Sequence, residues 1–267
     1  MSHNEMPDGF SKDDICAVIV TYNPNEILIE NIKSLRNQVG QIVIIDNGSD
    51  DDTYIKTLNE SVIRLGKNYG IAYALNRGIE YCKESKKPLI LTMDQDTVLD
   101  RDAVQELLKV INETDTASVG INWDGKAEKN ETVTYLITSG NLLVLDVLVS
   151  VGGYDEKLFI DSVDFDLSLR LTDNGYRMTK VFLARAKHHL GERQGESGYI
   201  THSAQRYYYI FRNHFYLTRK FRKTHRAFCL KKDFALGYDI LRILLYDKER
   251  KQKTKVLVQA YRDSREL

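Results

Sequence analysis

Hydrophobic and polar residues along the first 115 positions predict strands and helices in alternation. The apolar, β-branched run Ile15–Thr21 predicts a strand, and hydrophobic residues at helical spacing through Ile27, Ile32 and Leu35 predict the next helix. The same pattern predicts strands at residues 41–46, 62–65 and 89–93, and helices near residues 53–59, 71–83 and 103–112. Such alternation is typical of an α/β fold whose mostly parallel sheet is covered by helices on both faces.

The pattern changes after Ser118, where the predicted strands become shorter. Strands are expected around Val119 and at residues 133–138, 141–145 and 179–184, with an amphipathic helix near residues 163–172. From residue 202 onward the chain predicts helices rich in aromatic and basic residues. We therefore expect a Rossmann-like nucleotide-binding half and an acceptor-side half within residues 1–220. A basic helical extension over residues 221–267 would serve membrane association or oligomerisation.

Two carboxylates end one of the most apolar predicted strands. The segment PLILTMDQD, residues 88–96, places Asp94 and Asp96 at the carboxyl edge of a strand, where open α/β sheets bind ligands. Mg²⁺ is typically held by one or two carboxylates while substrate phosphates complete its shell. The pattern favours a site for a metal and a nucleotide diphosphate. A short D-x-D is equally consistent with Asp96 capping a helix that begins near Asp100.

Two further polar segments follow predicted strands. Asp46, before Asn-Gly-Ser, could accept a hydrogen bond from a nucleotide base or a ribose hydroxyl. It could equally belong to an Asx-type turn, with a helix cap at Asp50 or Asp51. Small residues around Gly70 and Gly78 would let a ligand approach closely, and packing against a neighbouring strand explains them equally well.

A second acidic cluster opens the helix near residues 163–172. Asp161, Asp164 and Asp166 exceed what the dipole of one helix requires, and a carboxylate at a cleft rim can act as the general base of a transferase. Arg170 could instead pair with Asp166 and make it structural. His188, followed by a second histidine, could be a metal ligand or a phosphate contact.

Composition narrows the function classes. The 267 residues are 42% hydrophobic and 28% charged, which suits one sizeable core with a small appendage. A membrane-spanning run and a signal-peptide core are both missing from the sequence, so we expect a cytoplasmic protein. Three widely spaced cysteines argue against a disulfide framework or a zinc site. The glycine patterns of dinucleotide-binding enzymes and P-loop NTPases are absent.

Charge is distributed unevenly along the chain. Residues 206–267 contain 17 Lys and Arg against 6 Asp and Glu, a charge of +11 that residues 1–205 balance. This asymmetry predicts an anionic partner for the tail: a membrane surface, nucleic acid or the acidic body of the same protein. Aromatic and aliphatic residues form two stripes at helical spacing in the tail. Such stripes are usually core contacts and can also bind lipid interfaces or a second copy. The stripes are Tyr208, Phe211, Phe215 and Phe234, Tyr238, Leu241, Leu245.

Taken together, these segments resemble the family 2 glycosyltransferases of the GT-A fold, in their bacterial rhamnosyltransferase-like branch. The resemblance covers residues 15–219 and includes the Asp164-x-Asp166-x-x-x-Arg170 helix. The other matching segments are VIVTYN at 18–23, DNGS at 46–49, NYG at 68–70, DQD at 94–96, SGN at 139–141 and GYD at 153–155.

The resemblance implies roles for individual residues. Thr21, Tyr22 and Asp46 would hold the base and ribose, Asp96 would bind the metal and Asp94 would support the donor sugar or ribose. Other residues implied in donor binding are Asn23, Asn68, Gly70, Asn76 and Gln95, and His188 is a further candidate metal ligand. Asp164 aligns with the family's catalytic base, but the Glu that usually precedes this base is replaced by Val163, which makes Asp161 the alternative base.

The implied activity is an inverting sugar transfer that depends on Mg²⁺ or Mn²⁺. We expect L-rhamnose to move from dTDP-rhamnose to a glycan or lipid-linked acceptor during bacterial surface polysaccharide synthesis, with UDP-glucose or UDP-galactose as alternative donors. Peripheral contact with the inner face of the cell membrane and a homodimer are also compatible with the tail. A nucleotidyltransferase is disfavoured because no glycine-rich basic loop follows the first strand, and a nucleic-acid-binding protein because the body is acidic.

Overall fold

A computed structural model describes residues 9–123, 125–188 and 202–267, with His188 described through its backbone alone. The strands are β1 (Ile15–Thr21), β2 (Gln41–Asp46), β3 (Ser61–Arg64), β4 (Leu89–Asp94), β5 (Thr97–Leu99), β6 (Ser118–Ile121), β7 (Glu131–Thr132), β8 (Asn141–Val144), β9 (Met178–Val181) and β10 (Ala186–His188). The α-helices are α1 (Ile27–Leu35), α2 (Ile71–Glu84), α3 (Ala103–Glu113), α4 (Leu145–Ser150), α5 (Val163–Asp173), α6 (Ala204–Phe221), α7 (Arg226–Tyr246) and α8 (Arg250–Asp263).

Eight strands form the central sheet, in the order β3-β2-β1-β4-β8-β6-β9-β7. The first four are parallel, whereas β8 runs antiparallel to both of its neighbours. The sheet is therefore mixed, with four of its seven pairings parallel. The predicted α/β fold with a central sheet flanked by helices is confirmed. A separate two-stranded sheet joins β5 to β10.

The core lies on both faces of the sheet because its central strands are apolar at successive positions. In β1, Ile15, Ala17 and Ile19 face a layer that contains α1 and α3. The intervening Cys16 and Val18 face a second layer that contains α2 and α5. Side chains alternate between the two faces of a strand, so a continuous apolar run is what a sheet buried on both sides requires.

Two predicted elements are wrong in the structure. Residues 53–59 form a 3₁₀ turn at Ile55–Thr57 instead of a helix, and Ile55 is the one residue of that turn that is buried. Residues 133–138 form no regular strand. The Val133 N–H still donates to the Met178 carbonyl oxygen of β9 at 3.0 Å, but the Leu136 N–H donates to the Ser168 hydroxyl at 3.2 Å. The predicted strand at 179–184 ends at Val181.

The three C-terminal helices pack together around Tyr207, Phe211, Leu236, Ile243 and Ala260. The first predicted stripe, which includes Phe211, therefore belongs to the core. The core interpretation of the second stripe is wrong, because its residues on α7 are exposed. No helix in the described parts of the chain is both long and apolar enough to cross a membrane. The boundary after residue 220 falls at the end of α6 and stays a prediction.

Candidate active site

One cavity of about 700 Å³ lies at the carboxyl ends of β1 and β4 and brings the two acidic clusters together. One side of its wall comes from the strand ends and from the start of α2, and the other from residues 159–165 before and within α5. Nine of the residues implied in donor binding or catalysis lie in this wall: Thr21, Tyr22, Asn68, Gly70, Asp94, Gln95, Asp96, Asp164 and the alternative base Asp161.

The backbone that carries Asp94 and Asp96 is fixed by side chains from two other elements. The N–H of Asp94 donates to the Ser139 hydroxyl at 2.9 Å, and its carbonyl oxygen accepts from the Asn31 amide at 2.7 Å. Both carboxylates are half-buried. Helix α3 begins at Ala103, beyond its N-cap residue Asp102, so Asp96 does not cap it.

Gln95, between the two acids, holds β4 to the end of β1. Its amide oxygen accepts from the Tyr22 N–H at 2.8 Å, and its amide nitrogen donates to the Tyr22 carbonyl oxygen at 3.3 Å. The neighbouring Thr21 hydroxyl is buried and has no hydrogen-bond partner among the described residues. Because a buried hydroxyl without a partner is costly, this group is suited to a ligand in the cavity.

Asp94 and Asp96 fit a hard divalent cation by their chemistry. They offer carboxylate oxygens at the rim of a cavity large enough for a substrate, and phosphate oxygens normally complete such a shell. Within residues 9–123, 125–188 and 202–267, no group of three or more His, Cys, Asp or Glu side chains could hold a metal ion by itself. A cation here would therefore need ligands in addition to the two carboxylates.

The backbone of His188 lies beside this segment. In the small sheet His188 pairs with Thr97, the residue after Asp96. Its side chain lies outside the described part of the chain, as do residues 189–201, which include the second histidine. The metal-ligand role of His188 stays a prediction.

The start of α2 is joined to the loop after β2. Asn47 donates through its side-chain amide to the Asn68 amide oxygen at 3.0 Å, and that oxygen also accepts from the Gly70 N–H at 2.9 Å. Gly70 has φ 92° and ψ 162°, and a Cβ there would lie 2.5 Å from the Phe159 carbonyl oxygen. The small residue at 70 thus lets α2 begin directly against the opposite cavity wall.

Three residues implied in donor binding lie outside the cavity lining. The Asn23 amide oxygen accepts from the N–H groups of Asp50 and Asp51, and Asn76 binds residues 154 and 156. Asp46 accepts from the Ser49 N–H at 3.0 Å, the turn contact that was the alternative for this residue. Their contacts with a donor stay predictions.

Within the second acidic cluster, Asp166 is structural. It is fully buried, accepts from Arg170 at 2.7 Å and from Lys220 of α6 at 2.6 Å, and so joins α5 to α6. This is the pairing that the sequence offered as the alternative to a catalytic role.

Asp161 stands in a strained segment. Asp161 and Ser162 both have positive φ, 67° and 64°, a conformation that non-glycine residues rarely adopt and that often marks functional sites. One Asp161 carboxylate oxygen accepts from Arg206 at 2.7 Å, and the other is buried without a partner among the described residues. The Asn213 amide holds the segment by donating to the carbonyl oxygens of Ile160 and Asp161 at 2.6 and 3.0 Å.

Asp164 faces the same cavity from the first turn of α5. Burial raises the pKa of its carboxyl above the ordinary value, while the hydrogen bond from the Phe165 N–H and the charge of Lys232 oppose that shift. Lys232 comes from α7, and its ammonium lies 3.4 Å from the centre of the Phe165 ring. Burial in turn lowers the pKa of Lys232.

Sequence reasoning missed several residues that shape this site. Asn31 offers a usable signal, because it is a polar residue on the apolar face of α1, between Leu28 and Ile32. The structure buries its amide fully. Lys232 offers none, because it lies 68 positions from Asp164 among many other basic residues.

The fold and the paired acids at the sheet edge define an α/β protein with a ligand-sized cavity at the carboxyl ends of its strands, and comparisons with known proteins give its family. Residues 16–157 match Glycosyl transferase family 2. The chain is 30% identical to a dTDP-rhamnosyl transferase, RfbF of Shigella flexneri, over 78% of this chain and 80% of that relative. It is 27% identical to an uncharacterized protein of Methanocaldococcus jannaschii over 70% of this chain and 81% of that relative.

A solved structure supports the fold independently. GalNAc-T7, crystallised with UDP, GalNAc and Mn²⁺, superposes with a TM-score of 0.67 at 15% sequence identity. The match covers 98% of this chain and 57% of that chain. The GT-A fold is thereby confirmed, and the chain belongs to glycosyltransferase family 2.

Proposed function

We propose that this chain is a metal-dependent, inverting glycosyltransferase that moves L-rhamnose from dTDP-rhamnose to a glycan or lipid-linked acceptor. The observation that carries the proposal is that Asp94, Asp96 and Asp164 line the same cavity. A transferase with a diphosphate leaving group needs a cationic site for the donor and a base for the acceptor, and the cavity provides residues for both.

On the donor side, Asp94 and Asp96 would hold the cation, which when bound neutralises the negative charge that develops on the diphosphate. Thr21 and Tyr22 would contact the nucleoside, since both line the cavity at the end of β1. Gln95 keeps Tyr22 in place through its two backbone hydrogen bonds. These residues bind and orient the donor so that its anomeric carbon faces the α5 side of the cavity.

On the acceptor side, Asp164 is the better of the two candidate bases. It forms no ion pair with any described residue, whereas Asp161 is committed to Arg206 at 2.7 Å. A raised pKa brings the carboxylate closer to the pH at which it must accept a proton, as general base catalysis favours. Asp164 would take the proton from the acceptor hydroxyl as its oxygen attacks the anomeric carbon opposite the diphosphate, which inverts that carbon.

The rhamnosyl donor is supported by the similarity to the Shigella flexneri dTDP-rhamnosyl transferase. UDP-glucose and UDP-galactose remain the alternative donors. With such a donor, the reaction would take place on the cytoplasmic side of a bacterial membrane, as part of surface polysaccharide synthesis.

Calorimetric titration tests the donor assignment. We expect dTDP-rhamnose, but not UDP-glucose or UDP-galactose, to bind in the presence of Mn²⁺, and EDTA to abolish binding. Asp96→Ala should lose this binding because it removes a metal carboxylate, whereas Asp115→Ala, at a fully exposed acid far from the cavity, should retain it. Binding of a UDP-sugar instead would change the donor class. Binding that is indifferent to EDTA and to Asp96→Ala would refute the metal site.

A further inference from the structure

Helix α7 presents a continuous apolar face to solvent. Five side chains on this face have between 53% and 79% of their surface exposed. They are Leu230, Phe234, Tyr238, Leu241 and Leu245. Their spacing of three and four residues places them on one side of the helix, opposite the buried Cys229, Leu236 and Ile243. We call these five residues the α7 face.

The size of the α7 face exceeds that of scattered surface hydrophobic residues. It extends over four helical turns, about 22 Å at the rise of an α-helix. Contiguous apolar surface of this kind usually marks an interaction site, because leaving it in water is unfavourable.

Basic residues border the α7 face. Lys231 and Arg242 lie on α7 next to it, and the Arg242 guanidinium is 5.4 Å from the centre of the Tyr238 ring. Near the carboxyl end of the face, Leu244 of α7 and Val258 of α8 line a shallow depression of about 610 Å³. Three basic residues of α8 also line this depression: Arg250, Lys251 and Lys255.

Acidic residues are directed away from the α7 face. Within α7 the acids are Asp233 and Asp239, and both are half-buried. Asp233 is engaged with His214 at 3.0 Å and Arg222 at 2.8 Å. Asp239 lies nine residues after Leu230, about 180° around α7. Lys231 and Arg242 are therefore the charged residues of α7 next to the face.

We propose that the α7 face lies in the interface of an anionic membrane, with its apolar side chains among the lipid chains and the bordering cations at the lipid phosphates. This combination of an apolar stripe with flanking Lys and Arg is the one that holds amphipathic helices in membrane interfaces. A second copy fits the face less well, because two such faces would bring their bordering cations together.

The docked orientation has a consequence for the cavity. Lys232 is two residues from both Leu230 and Phe234, so it lies about 200° around α7 from each of them, on the opposite side of the helix from the α7 face. On that side Lys232 contacts Phe165 and acts electrostatically on Asp164. An α-helix with side chains is about 10 Å across, so the acceptor side of the cavity lies about one helix diameter from the membrane surface. This placement favours a lipid-linked acceptor over a free glycan, an inference that rests on the proposed transferase function.

Vesicle flotation of the full chain tests the proposal. We expect binding to phosphatidylcholine vesicles that contain phosphatidylglycerol, and weaker binding to phosphatidylcholine alone or at high salt. Leu230→Ser/Leu241→Ser should weaken binding roughly 10-fold or more, because half-exposed leucines complete their burial in the interface. Leu183→Ser is the matched control, since Leu183 is 54% exposed, like Leu230, and lies outside α7.

Three outcomes would overturn the proposal. They are no flotation with anionic vesicles, equal binding of the double variant, and a lipid-free dimer that the double variant dissociates in analytical ultracentrifugation. The last result would assign the face to a second copy. Donor binding by calorimetry is measured separately on the same proteins, so failure of vesicle binding leaves the transferase proposal standing, and the reverse also holds.

Discussion

The contact between Gly70 and Phe159 yields a prediction about both the stability of the fold and the activity of the candidate site. Gly70→Ala would place a methyl group 2.5 Å from the Phe159 carbonyl oxygen and 2.8 Å from its Cα, which are backbone atoms that cannot rotate away. The φ of 92° and ψ of 162° also belong to a region that is essentially restricted to glycine. Both effects act where the Phe159 carbonyl accepts the Ile71 N–H at 2.7 Å.

The magnitude follows from these two terms. Backbone strain costs about 1–3 kcal/mol and overpacking about 1–3 kcal/mol, so Gly70→Ala should lower the free energy of unfolding by about 4 kcal/mol. Gly152→Ala is the matched control: φ there is 89°, but no atom lies within 4 Å of the added Cβ. It should cost about 1–2 kcal/mol. With a urea m-value of about 3 kcal/mol/M, the midpoints should fall by roughly 1 M and 0.5 M.

An activity assay distinguishes an effect of this contact on the candidate site from a general loss of stability. Relief of the clash requires Phe159 to move, and Phe159 precedes Asp161 and Asp164 on the cavity wall. We therefore expect Gly70→Ala to lower transfer under conditions where it is still folded, while Gly152→Ala keeps the wild-type rate. Equal urea midpoints for the two variants would refute the close approach, and full activity of folded Gly70→Ala would refute its link to the site.

Two further predictions concern the base. Asp164→Asn should lower turnover about 10²- to 10⁴-fold while donor affinity in calorimetry is unchanged. Asp161→Asn should lower turnover less. A larger loss of turnover in Asp161→Asn would make Asp161 the base. Lys232→Met should move the acid limb of the rate profile to higher pH, because the charge of Lys232 lowers the pKa of Asp164 and its removal raises that pKa further. The exposed Lys231→Met is the control, and identical profiles for the two variants would remove Lys232 from the site.

Sequence patterns predicted the nucleotide-binding half of the fold well because its elements are locally determined. The runs Ile15–Thr21 and Leu89–Asp94 are apolar at nearly every position, as strands buried on both faces must be, and each ends in polar residues at the sheet edge. The position of Asp94 and Asp96 at that edge could therefore be predicted from local pattern alone.

Contacts between distant segments could not be predicted in the same way. Residues 133–138 have strand-like composition, yet they form no regular strand, and the Leu136 N–H donates to the Ser168 hydroxyl of α5. The pairing of Asp161 with Arg206 and the approach of Lys232 to Asp164 depend on how α6 and α7 pack against α5. Such contacts follow from tertiary packing, which residue spacing does not encode.

If the membrane proposal holds, the basic residues of the tail fall into two sets with different roles. One set of cations points inward: Lys220 joins Asp155 and Asp166, and Arg206 joins Asp161, so the acidic body accounts for part of the excess. The other set borders the α7 face and the depression beside it: Lys231, Arg242, Arg250, Lys251 and Lys255. Salt screens exposed charges far more than buried ones. Added salt should therefore release the chain from anionic vesicles well before it separates α6 from the body. The proposed membrane contact would then be reversible without loss of the cavity wall.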